Sequence, residues 1–129
     1  MSEAMTRGWI TLDGREIVSC STIKQHRETH LATGEWYPQD ESVREDMHRQ
    51  GIFTRQEFVE ALEECVGSPI QSALSSSNPL ARAVALLDRR LGRRRLQKKT
   101  FGDDEVQIVK DFYRIRCQAE GLGEKPAVD

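Results

Sequence analysis

Between residues 54 and 121 the chain is cut into short pieces by helix start and stop signals, and this punctuation limits the fold most. Thr54-Arg55-Gln56-Glu57 fits a capping box, in which the threonine hydroxyl and the glutamate carboxylate each satisfy an unpaired backbone N–H. The helix that follows places Phe58, Ala61, Leu62, Cys65 and Val66 on one face and Glu57, Glu60, Glu63 and Glu64 on the other. Gly67 predicts its stop. Ser68-Pro69 with Gln71 predicts a second capped start, and Ser75-Ser76-Ser77 an early end. Asn78-Pro79 repeats the start signal, ahead of a stripe formed by Leu80, Ala83, Val84, Leu87 and Leu91. A straight helix through Gly92 would put Arg94 on that stripe and Leu96 among arginines, so a break at Gly92 is expected. The last helix is predicted over 103–120, with Asp103, Asp104 and Glu105 in its first turn, where the helix dipole favours anions. It carries two apolar stripes, Val106, Val109, Tyr113 and Cys117 on one side and Ile108, Phe112, Ile115 and Ala119 on the other. A helix apolar on two sides lies between layers or makes an interface.

The first half reads differently. Asp13-Gly14 lies between the β-prone runs 9–12 and 15–19, and an Asp-Gly pair suits the positive φ angles of a type I′ turn. The run 22–31 predicts a short polar helix, and 43–50 another helical turn ending at Gly51. Together these signals predict an α+β fold, an N-terminal β-hairpin with room for a third strand packed on four or five helices. The 129 residues predict one domain, with residues 1–7 and 123–129 as flexible tails. No apolar run is long enough for a membrane span, and the first ten residues lack a signal-peptide core, so a cytoplasmic location is expected. Cys20, Cys65 and Cys117, odd in number and far apart, predict reduced, mostly buried thiols rather than a disulfide framework.

The net charge of -2 conceals strong segregation. Residues 1–66 carry 7 Lys+Arg against 13 Asp+Glu, a net of -6; residues 67–100 carry 8 against 1, a net of +7; residues 101–129 carry 4 against 7, a net of -3. Most of the positive charge falls in one segment, where Arg89, Arg90, Arg93, Arg94, Arg95, Lys98 and Lys99 put seven cations among eleven residues. Such cations repel one another and need solvent or an anion. Guanidinium forks suit phosphate oxygens. These seven residues are therefore the candidate binding site. The first functional reading is an interaction or regulatory protein that holds a protein partner through this segment and the last helix, as monomer or homodimer. Nucleic-acid binding through the arginine cluster is the runner-up. A helix-turn-helix over 54–91 fits poorly, because its would-be recognition helix, 68–74, carries no cation.

Enzyme chemistry ranks third. His26 and His30 are one helical turn apart, and Cys20 or His48 would complete a metal set if they converged. Yet neither H-E-x-x-H nor C-x-x-C is present, and neither is a nucleophile elbow or a phosphate-binding glycine loop. No catalytic residue, metal or cofactor is assigned. Trp36-Tyr37-Pro38, flanked by Glu35 and Asp40, makes an aromatic cluster that either closes the hairpin's open face or, if exposed, anchors a protein contact.

Overall fold

A computed structural model describes residues 7–37 and 40–122. The chain divides into two compact units, Met1–Glu60 and Ala61–Asp129. The fold is α+β: among the described residues an antiparallel two-stranded hairpin is followed by seven helices. That is more helices than the four or five expected, because the punctuation isolates single-turn segments as well as long ones. Among the described residues no third strand joins the hairpin.

In the first unit β1 (Arg7–Leu12) pairs with β2 (Arg15–Ser21) across a turn in which Asp13 and Gly14 have φ of 53° and 80°. The Asp-Gly signal is therefore met by its expected backbone. The register shifts between Ile10 and Thr11, so Ile17 is the extra residue of a bulge. Gly8 faces inward against the Phe58 ring, where an added Cβ would meet Phe58 Cδ2 at 2.4 Å. Only glycine lets the strand approach that ring. Arg7, expected in a flexible tail, is instead the first residue of β1, and its guanidinium holds Ser19 Oγ and Glu16. The rest of the expected tails, residues 1–6 and 123–129, lies outside the described residues, as does Pro38.

Helix α1 (Thr22–Thr33) starts where the Ser21 hydroxyl accepts the Lys24 N–H, and it ends at Gly34 with φ of 82°. Helix α2 (Glu41–Arg49) is capped by Asp40, whose carboxylate accepts the Val43 N–H at 3.1 Å. The core of this unit is Val18, Cys20, Met47, Ile52 and Phe53. Helix α3 (Arg55–Gly67) opens with the expected box: the Glu57 N–H donates to Thr54 Oγ1 at 3.0 Å, and the Thr54 N–H to Glu57 Oε1 at 2.9 Å. Glu57 does more than cap. His48 bonds its second oxygen, and Gln25 Nε2 reaches Oε1 at 3.4 Å. It is thus a half-buried junction of α1, α2 and α3, not a member of a solvated glutamate face.

In the second unit α4 (Ile70–Leu74) is a single turn, α5 (Pro79–Leu86) begins under the Asn78 cap, α6 (Arg93–Lys98) follows Gly92, and α7 (Gln107–Ala119) lies along α5. Leu80, Leu86, Leu91, Leu96, Val109 and Phe112 fill the core. Where α3, α4 and α5 meet, the small residues Cys65, Ala73 and Ala85 allow close packing. Four boundaries differ from expectation. Gly67 is the last residue of α3 rather than its left-handed stop. Ser68 gives α4 no side-chain cap, and α5 ends at Leu86 instead of Gly92. Helix α7 starts at Gln107, leaving Asp103 and Asp104 in a preceding turn, because Glu105 is drawn off to Arg82 at 2.7 Å.

The capping box yields two expectations. Thr54→Ala should lower stability by on the order of 1 kcal/mol, read as a shift in the denaturation midpoint. Burial pushes the Glu57 carboxyl up, but hydrogen bonds from His48 and Thr54, with the charge of His48, more than offset it and hold it below the usual carboxylate range. That depressed value makes its stabilisation complete above the unfolded carboxylate range and lost as pH falls through the folded value. Glu57→Gln should therefore flatten the acid limb of a stability–pH curve.

Candidate functional site

The basic segment is shaped by what lies beneath it. After α5 ends, Asp88, Arg89 and Arg90 form a turn, Leu91 plunges into the core at 2% exposure, and α6 begins behind Gly92. Leu96 is fully buried. At about 100° per residue, Arg94 and Lys98 stand on the face of α6 opposite Leu96, one turn apart. The expected break thus rescues both side chains, though it starts five residues earlier than Gly92.

One residue of α7 holds this path together. Arg116 is 9% exposed, and its guanidinium donates to the carbonyl oxygens of Leu86 and Asp88 at 2.9 Å and of Leu91 at 2.7 Å, while Nε bonds Glu120 at 2.9 Å. The Leu86 carbonyl is one that the end of α5 leaves without a helical partner, and those of Asp88 and Leu91 belong to the turn that follows. One turn away, the Tyr113 hydroxyl donates to the Leu96 carbonyl at 3.0 Å. Burial, then contact with Cys117, pushes that phenol up to about 12, so it stays a donor at neutral pH. The two-stripe reading of α7 passes over Arg116. Its position was legible, however, since residue 116 falls within the apolar arc set by 109, 112 and 113.

The seven candidate cations separate into two groups. Arg90 is structural: it donates to the carbonyls of Cys65 and Ser68 at 2.7 Å, capping the end of α3, and pairs with Asp88 at 2.9 Å. Hydrogen bonds from Arg90 in turn hold the Asp88 carboxyl below its usual range. Arg95 donates to the Gln71 side chain, which is why Gln71 serves no capping box. Lys99 sits with Nζ 5.5 Å from the Phe101 ring centre, and Phe101 packs edge-on against Tyr113. Arg89, Arg93, Arg94 and Lys98 are exposed, and no partner holds them among the described residues. Large exposed apolar side chains are also missing from the described part of 67–122.

The alternative chemistry fares differently. His26 packs edge-on against Tyr37, His30 stacks on Trp36 with ring centres 3.8 Å apart, and His48 pairs with Glu57. Cys20 is buried, and burial, then the nearby Glu57, pushes its thiol up to about 12, which keeps it protonated and unreactive. Among the described residues the three histidines and Cys20 do not gather into a metal-binding group. Cys65 and Cys117 are also buried and unbridged. No described helix is long and apolar enough to cross a membrane.

With this geometry in hand, comparison places the chain. It belongs to the SF0329 protein family. The match covers residues 1–117, which include the whole basic segment and Arg116. No curated protein and no solved structure matches the chain.

The division of the cations makes a testable contrast. Arg116→Met keeps most of the buried volume but abandons three carbonyls, and should destabilise the chain by about 3 kcal/mol. Arg116→Lys should rescue little, because an ammonium cannot reproduce the planar fork. Arg93→Ala and Arg94→Ala should change stability by less than about 0.5 kcal/mol. Urea denaturation of the four variants measures all of this.

Proposed function

We propose that the chain is a non-enzymatic interaction protein whose basic segment docks on the phosphate backbone of a nucleic acid. One observation carries this reading: Arg89, Arg93, Arg94 and Lys98 are exposed and unpaired among the described residues, while the leucines between them point inward. Protein interfaces are centred on apolar anchors, commonly aromatic, ringed by polar groups. This surface has cations at its centre and no apolar anchor, which is the composition a sugar-phosphate backbone selects. A protein partner held through the same segment and the last helix has less support. Helix α7 turns Val109 and Phe112 into its own unit, and of its two apolar stripes only Ala119 is exposed.

Four cations neutralise about four phosphates at most, so the contact is weak and blind to sequence. Affinities in the non-specific range, about 10⁻⁴ to 10⁻⁶ M, belong to such a contact. The acidic residues 1–66, net -6, offer no phosphate site of their own, so contact falls to the basic segment. A cytoplasmic location accords with this reading.

Binding to mixed-sequence duplex and single-stranded oligonucleotides, followed by anisotropy against salt, tests it. The logarithm of affinity should fall with that of salt by about 0.9 per phosphate contacted. Replacing Arg93, Arg94 and Lys98 by alanine should lower that slope by about 2 to 3 and weaken all sequences alike. Absence of binding at about 50 mM salt defeats the proposal. So does equal binding by polyglutamate, which would show attraction to any acidic chain.

A further inference from the structure

The first unit carries a surface of the opposite character. Helix α1 and the turn after it expose Leu31 at 74%, Trp36 at 55% and Tyr37 at 61%, three large side chains within seven residues. The rings do not float. Trp36 lies parallel to His30, with an interplanar angle of 2°, and Tyr37 meets His26 edge-on with ring centres 4.7 Å apart. One face of the indole is thereby spent on α1 and its remaining surface is open. This turn also lies in the most acidic part of the chain: residues 28–46 carry Glu28, Glu35, Asp40, Glu41, Glu45 and Asp46 against Arg44 alone.

An exposed indole held flat in an acidic stretch of sequence, next to Glu35, suits a guanidinium, which can stack on the ring and is drawn by the negative charge. The same chain supplies guanidinium groups of that kind. Arg89, Arg93 and Arg94 are exposed and unpaired among the described residues, in a segment of net +7 against a first half of net -6. We infer that the Trp36–Tyr37 turn docks the arginine segment of a second copy of this chain. The contact is heterologous, turn of one copy to segment of the next. Its driving forces are the stacking of arginine on Trp36, burial of Leu31 and Tyr37, and charge complementarity that steers the approach. It shares with the nucleic-acid reading only the unpaired cations, so the two ligands would compete for one segment.

Nuclease-treated full-length protein, examined by sedimentation at about 50 mM and about 500 mM salt, tests this. Self-association should appear across the micromolar range at low salt and be lost at high salt. Trp36→Ala should weaken it roughly tenfold, and Arg93→Glu with Arg94→Glu should abolish it. The deciding measurement is complementation. The Trp36→Ala protein keeps an intact arginine segment and the double glutamate variant keeps an intact turn, so their mixture should associate more tightly than either variant alone. A wild type that stays monomeric overturns the inference, as does self-association untouched by Trp36→Ala or a mixture that fails to associate. Oligonucleotide binding separates the two readings. Trp36→Ala should leave it unchanged, and a chain that binds oligonucleotide without self-associating sinks this inference alone.

Discussion

The guanidinium of Arg116 is the contact on which the second unit depends. An α-helix that stops inside a core leaves carbonyls with neither helical partner nor water, and each costs free energy unless a donor reaches it. Arg116 reaches that of Leu86 at the end of α5, and with the same rigid group holds the Asp88 and Leu91 carbonyls of the turn that follows. Its own charge has to be paid for, and Glu120, one turn along the same helix, supplies the carboxylate. Because those carbonyls are met, α5 can end at Leu86, and the chain can then turn twice and send Leu91 and Leu96 inward. The outward cations follow from that path. With Arg116 gone, the path of 87–92 would rest on buried Leu91 and on the Asp88–Arg90 pair.

A related economy recurs elsewhere in the unit. Arg90 meets the open end of α3, and Arg82 takes the Ser76 carbonyl while pairing with Glu105. Short helices have a large share of unpaired terminal groups, and this unit answers that need with arginine. Density of positive charge in the sequence therefore overstates density of positive charge available to a ligand. The first unit solves the same problem with carboxylates. Asp40 caps α2, and Glu57 caps α3 while holding His48. The segregated charge of the chain thus reflects, in part, which sign of side chain each half uses to close its helices.

What could be read in advance was what depends on neighbours in sequence. The Asp13-Gly14 turn, the Thr54–Glu57 box, the Asn78 cap and the need for a break before α6 are decided within a few residues, and each is met, although the break opens at Leu87 rather than at Gly92. Misplacements arise where a distant group competes. Ser68 and Gln71 have the residues for a capping box, but Gln71 is taken by Arg95 and α4 begins without it. Asp103 and Asp104 suit a first helical turn, but Glu105 is anchored to Arg82, and α7 starts after it. Which of the seven cations were free was hidden for the same reason, since the partners of Arg90 are backbone oxygens more than twenty residues away. Backbone acceptors leave no mark in the identity of the residue that bears them.

The unpaired cations gain meaning from the rigidity of their support. A flexible arginine run pays conformational entropy for every phosphate or carboxylate it holds. Here Leu91 and Leu96 fix the backbone from below, Arg116 and Tyr113 hold its carbonyls, and only the side chains of Arg89, Arg93, Arg94 and Lys98 remain to be ordered. The loss on binding is confined to side-chain rotamers, at roughly 0.5–1.5 kcal/mol each. Several weak charge contacts can exceed that sum together although one would not, so affinity should rise steeply with the number of anions presented in register. A polymer with regularly spaced charges, or an exposed indole in an acidic segment, meets this requirement. A single dissolved phosphate does not, which separates both proposed ligands from adventitious small anions.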